Sequence, residues 1–109
     1  MQITRKLEFD AGHRLPNHES KCKNVHGHRY VLECTIEGEP DPSFGSSQQG
    51  MVMDFGKLKQ VMSEALVDKW DHAFLVWKSD AFMLDALQSL PADHKTVVLL
   101  EPPTVENLA

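Results

Sequence analysis

Three histidines in the first quarter of the chain have the types and spacing of metal ligands. His26-Gly27-His28 is an alternate-residue pair. On a β-strand, side chains repeat on one face every second residue, so both imidazoles point the same way. His13 ends an earlier segment in which Ile3, Leu7, Phe9 and Ala11 fall on one side and Gln2, Thr4, Lys6, Glu8 and Asp10 on the other. It is in phase with the apolar side. Three neutral imidazoles from two strands suit Zn²⁺ and leave one coordination position open for water or a substrate. The plainer alternative is three core or surface histidines with ordinary hydrogen bonds. A third imidazole in phase with a His-x-His pair favours the metal. No carboxylate shares this face nearby, so a carboxylate is a poor choice of fourth ligand.

Cys22 lies between the two segments, in a polar loop and flanked by Lys21 and Lys23. Neighbouring cations and a nearby metal favour the thiolate. Three roles are open to it: fourth ligand, base, or plain loop cysteine. Cys34 alternates with Leu32 and Ile36 and reads as core. Asp71-His72 is either a polar helix exit, with the histidine favoured by the helix dipole, or a catalytic pair. Trp70, Phe74 and Trp77 read as packing residues. His18 and His94 fall in loops and receive no role.

These residues need elements to hold them. Residues 2–13 and 26–37 alternate as two neighbouring strands, most simply antiparallel, joined by a loop containing Pro16, Asn17, Ser20 and Asn24. Residues 38–50 are rich in Pro, Gly, Ser and Gln and read as loop. Met51-Val52-Met53 reads as a short strand. Asp54 caps a helix with apolar positions Phe55, Leu58, Val61, Met62, Ala65 and Leu66. A second helix is predicted from Ser79 or Asp80 to Leu90, stopped by Pro91, then an extended segment from Lys95 to Leu100. Pro102-Pro103-Thr104 opens a further helix at Val105. So short a helix is marginal alone, and we read the chain as stopping just inside an element, part of a longer protein.

The 109 residues, 41% hydrophobic and 25% charged, suit one small globular domain. A net charge of -5 argues against nucleic-acid or anionic-membrane partners. No apolar run approaches a membrane span. Two unevenly spaced cysteines and an N-terminus without a signal-like apolar core point to the cytoplasm.

The ordered set of motifs resembles the 6-pyruvoyl-tetrahydropterin synthase family. It comprises Phe9-Asp10-Ala11-Gly12-His13-Arg14-Leu15, then Cys22 with His26-Gly27-His28, then Gly50-Met51-Val52-Met53-Asp54-Phe55 with Leu58. Asp71-His72 with Leu75, and Pro103-Thr104 with Glu106-Asn107-Leu108-Ala109, complete it. The resemblance implies an α+β tunnelling-fold (T-fold) subunit, an antiparallel sheet of four strands with two helices on one face. It also implies sheets closing into trimers and stacking into a hexamer, which would remove exposed strand edges. His13, His26 and His28 would bind zinc and Cys22 would abstract a proton. Asp71 and His72 would complete a relay from a neighbouring subunit, and Thr104 and Glu106 would contact substrate.

The short Cys-x-x-x-His-Gly-His spacing is closer to the bacterial 6-carboxytetrahydropterin synthases. These convert 7,8-dihydroneopterin triphosphate to 6-carboxytetrahydropterin, acetaldehyde and triphosphate on the route to queuosine. The redox change is internal to the substrate, and the chain lacks a Gly-rich dinucleotide loop. Two departures stand out. The segment from Leu75 to Pro103 is longer than in compact members, and the resemblance implies that the pterin-anchoring glutamate, the C-terminal helix and the last two strands would lie beyond Ala109. Two rivals remain: a pyruvoyl-tetrahydropterin synthase or related pterin enzyme, and a non-catalytic zinc module, for which Cys22 and Asp71-His72 would have no use.

Overall fold

The computed structural model describes residues 1–109. The two alternating segments are strands β1 (Gln2–His13) and β2 (His26–Glu37). Their facing pairs fix an antiparallel register. Gly38 N–H donates to Met1 O at 3.0 Å, the Thr4 and Thr35 hydroxyls meet at 2.7 Å, and His13 meets His26 at the other end. A 3-10 turn, Lys21–Lys23, lies in the loop between them.

Two further strands follow, the second within the extended segment expected from Lys95 to Leu100 and the first where no strand is expected. β3 (Phe74–Trp77) and β4 (Thr96–Leu99) complete a sheet of order β2-β1-β3-β4. β3 runs parallel to β1, with Gly12 opposite Phe74 and His13 opposite Leu75, and β4 runs parallel to β3. The sheet is therefore mixed rather than wholly antiparallel, with helices on one face in a small α+β fold. Connectivity explains the change. After β2 the chain returns through α1 (Phe55–Met62), a π-helical turn (Ser63–Val67) and the short α2 (Asp68–Trp70), so β3 restarts in the direction of β1. Then α3 (Ala81–Gln88) carries the chain back before β4, as a parallel pair requires.

Two compact units are distinguishable along these elements. One comprises Met1–Glu8 and Val31–Asp68. In it Asp54 caps α1 by accepting the Lys57 N–H, and α1 buries Leu58 and Met62 while Phe55 and Val61 stay largely exposed. Met51–Met53 forms no strand. The backbone there closes the preceding loop instead, with Asp41 N–H donating to Met51 O and Met51 N–H to Gln48 O.

The other unit comprises Phe9–Tyr30 and Lys69–Ala109. Its centre is β3, where Leu75 and Val76 are fully buried. Burying each such side chain is worth about 1.5–3 kcal/mol. Asp80 caps α3, whose Met83 and Leu87 pack on Val76 beside Phe74 and Leu84. Thr104 caps α4 (Val105–Leu108), as its sequence predicts.

Candidate metal centre and histidine–aspartate pair

Strand alternation sets the site. Phe9, Ala11 and His13 of β1 share a face with His26, His28 and Tyr30 of β2, and the antiparallel register brings the three imidazoles together. His13 is buried, His26 half-buried and His28 exposed. Ring centroids form a near-equilateral triangle with sides of 4.6, 4.8 and 5.0 Å, each pair of rings steeply inclined. His26 Nε2 lies 3.1 Å from both His13 Nε2 and His28 Nε2.

Hydrogen bonding on the far side of two rings says what these nitrogens are. His13 Nδ1 lies 2.9 Å from Pro103 O, and His26 Nδ1 lies 2.6 Å from Asn24 O. A carbonyl only accepts, so each Nδ1 carries a proton, and each ring in its neutral form keeps its lone pair on Nε2. Burial holds the His13 pKa below its ordinary 6.5, and the neighbouring His26 and His28 push it the same way. Lone pairs at 3.1 Å cannot hydrogen-bond to one another. A cation between them would remove the conflict. Three nitrogens about 2.0–2.1 Å from one tetrahedral ion would stand about 3.3 Å apart, close to the spacing seen. The donor set fits Zn²⁺, and with such an ion the two carbonyls would act as orienting groups behind its ligands. Tyr30, stacked on Phe9, adds its hydroxyl 3.3 Å from His13 Nδ1.

Cys22 sits beside this cluster. It lines a cavity of about 270 Å³ with Lys21, Asn24, His26 and His28. Cys34 lies half-buried in β2, and both thiols are free.

Asp71 and His72 form a second cluster with Asp10. Asp10, Gly12, Gly27 and Arg29 alternate onto the face opposite the three imidazoles. Asp71 Oδ1 accepts the Asp10 N–H at 3.0 Å, and His72 N–H donates to Asp10 O at 2.6 Å. Adjacent residues do not face each other on a regular helix, yet Asp71 Oδ2 and His72 Nδ1 are 3.0 Å apart. The backbone explains it. His72 is the only non-glycine residue in the left-handed region, at φ 60°, and this turn swings its ring back onto the carboxylate. The Asp10 N–H, then His72, hold the Asp71 carboxyl below its ordinary range. His72 is largely exposed and lines a cavity of about 520 Å³ with Asp10, Arg29, Phe74 and His94. His28 borders this cavity as well as the one that Cys22 lines, but Cys22 and His72 line different cavities of the chain.

Thr104, half-buried, lines a smaller cavity of about 210 Å³ with Leu15, His18 and Trp77, while its hydroxyl accepts the Asn107 N–H. Glu106 is exposed. Sequence reading did not foresee the carbonyls of Pro103 and Asn24 or the Tyr30 hydroxyl. Tyr30 was in phase with the histidines and so could have been found. A backbone carbonyl leaves no mark in residue type.

The sequence profile of the 6-pyruvoyl tetrahydropterin synthase family matches residues 2–109. The chain is 37% identical to the 6-carboxy-5,6,7,8-tetrahydropterin synthase of Rickettsia bellii over all of its own length and 75% of the relative's. The structure of Caenorhabditis elegans 6-pyruvoyl tetrahydropterin synthase superposes with a TM-score of 0.56 at 35% identity, over 68% of this chain and 57% of that one. An uncharacterized Wolinella succinogenes protein, WS1659, shares the fold over the whole chain and 78% of its own, with a TM-score of 0.62 at 19% identity. With its matched length, the likeness to these relatives and its fold, the chain belongs to the 6-pyruvoyl tetrahydropterin synthase family.

Proposed function

We propose that the protein is a zinc-dependent carbon–carbon lyase that converts 7,8-dihydroneopterin triphosphate and water to 6-carboxy-5,6,7,8-tetrahydropterin, acetaldehyde and triphosphate. The observation that carries this reading is the convergence of three imidazole Nε2 atoms, two of them fixed as lone-pair donors by carbonyls behind the rings. His13, His26 and His28 would hold the ion. Bound there, Zn²⁺ supplies Lewis acidity toward the oxygens of the substrate side chain.

The remaining work falls to side chains. Cys22, in the cavity beside His26 and His28, is assigned as the base that removes a proton from the substrate side chain. Asp71 accepts the His72 Nδ1 proton, which leaves His72 Nε2 to take or give a proton at the substrate. Because His72 of that pair and Cys22 line different cavities of one chain, we assign the pair to the site of a neighbouring subunit. Thr104 and Glu106 are assigned to substrate contact.

Assembly as a trimer or hexamer is part of the proposal. It is supported by the edge positions of β2 and β4 and by the exposed Val31 and Val98 on them. No helix is long and apolar enough to cross a membrane. We place the protein in the cytoplasm, acting in queuosine synthesis, as one domain with no nucleic-acid or membrane partner. The test is product analysis with 7,8-dihydroneopterin triphosphate. One acetaldehyde released per pterin consumed supports the lyase. A 6-pyruvoyl product without acetaldehyde would move the protein to the synthase reaction instead. No turnover with zinc bound would leave a binding module.

A further inference from the structure

Beside the imidazole cluster lies an ion pair that neither metal binding nor the proton relay uses. Arg14 follows His13 at the end of β1. Its Nε and Nη2 donate to the two oxygens of Asp80 at 2.7 and 2.5 Å. The Asp80 side chain is 4% exposed and that of Arg14 18%. The same carboxylate accepts the Met83 N–H at 3.2 Å, which fastens the pair to the first turn of α3. The guanidinium also lies 5.4 Å from the centre of the Phe82 ring.

The residues flanking Arg14 lead into the site. His13 precedes it, and Leu15, which follows, donates its N–H to Cys22 O at 2.9 Å. Asn24, two residues past Cys22, presents the carbonyl that orients His26. A planar fork on a carboxylate fixes direction as well as distance. Ion pairs this buried are weak net stabilisers compared with well-packed apolar residues. Geometric control is the better account of the pair.

We propose that Arg14 and Asp80 are positioning residues, a clamp by which α3 holds the end of β1, and through Leu15 the Cys22 loop, in place for the site. The proposal rests on the assignment of His13 and Cys22 given above. It gives the segment between β3 and β4 a task in the site.

The test compares wild type with Asp80→Asn, which keeps a capping oxygen and removes the charge, and with Arg14→Lys, which keeps the charge and removes the fork. Two readouts are taken on the full-length protein. One is the rate of iodoacetamide alkylation at Cys22 in metal-free protein, located by peptide mass. The other is Co²⁺ affinity with its visible spectrum. Both variants should alkylate at Cys22 at least about threefold faster and bind Co²⁺ roughly tenfold more weakly, the usual effect of losing a group behind a ligand. Met62→Ala, a core cavity outside the unit that carries the clamp, should lower Tm and leave both readouts unchanged. A lowered Tm with wild-type alkylation and cobalt binding in Asp80→Asn would overturn the proposal. If Asp80→Asn does not fold, Arg14→Lys decides on the same terms. If wild type binds no Co²⁺, the metal assignment fails on that result alone, and the alkylation rates still decide the clamp.

Discussion

Gly27 separates two of the three imidazoles, and replacing it with alanine tests how tightly the strands must meet. A Cβ at this position would lie 3.0 Å from Ala11 O, and the obstructing atom is backbone. Ordinary contact needs about 0.4 Å more, so β2 must move away from β1 by a few tenths of an ångström where His26 and His28 face His13. Metal–ligand distances tolerate only about ±0.2 Å. The displacement therefore exceeds what the three nitrogens can absorb without reorienting.

Overpacking costs about 1–3 kcal/mol, and alanine recovers about 0.5–1 kcal/mol of backbone entropy in a strand. The net loss of about 1 kcal/mol should lower Tm by roughly 4–8 °C. Zinc affinity should fall about 10- to 100-fold, as it does when groups supporting a ligand are disturbed. Competition with a chromophoric chelator reads the affinity. Gly38→Ala is the control, because its Cβ would meet only the Val52 side chain, at 3.2 Å. Wild-type zinc affinity in a folded Gly27→Ala protein would refute the argument that strand spacing sets the site.

Further outcomes follow from the same geometry. Cys22→Ala should abolish turnover while zinc stays bound, and Cys34→Ala should cost stability at most. Loss of zinc in Cys22→Ala would make the thiol a ligand. Mixing inactive Cys22→Ala and His72→Ala chains under subunit exchange should restore part of the activity, since hybrid oligomers contain sites with both residues intact. Demonstrable hybrids without activity would place both residues in one chain's site. Arg14 holds the Asp80 carboxyl below its ordinary 3.8. That stabilisation is complete above about pH 4 and is lost as pH falls through the lower folded value, so Asp80→Asn should flatten the acid limb of a stability profile.

Much of this was legible because β1 and β2 carry clean alternation. Period-two patterning alone puts His13, His26 and His28 on one face, and Asp54 and Thr104 mark two helix starts, while the third lies at Asp80, one of the two residues, Ser79 or Asp80, open for it. β3 was missed for a physical reason. Phe74-Leu75-Val76-Trp77 is a central parallel strand, apolar throughout, and such a run carries no alternation to read. Without β3, the mixed topology could not be foreseen. The pairing of Asp71 with His72 was hidden likewise. It depends on a left-handed backbone at His72, which residue type permits but does not announce. Residues 51–53 failed in the opposite sense, an apolar run whose backbone bonds are taken by the loop before it.

The proposed chemistry depends on what the three imidazoles hold. X-ray absorption at the zinc edge of protein purified without added metal tests this most directly. We expect near-stoichiometric zinc with three nitrogen ligands at about 2.0–2.1 Å and no sulfur shell, lost in His28→Ala. A sulfur shell at about 2.3 Å would make Cys22 a ligand, and full zinc occupancy in His28→Ala would contradict the site itself.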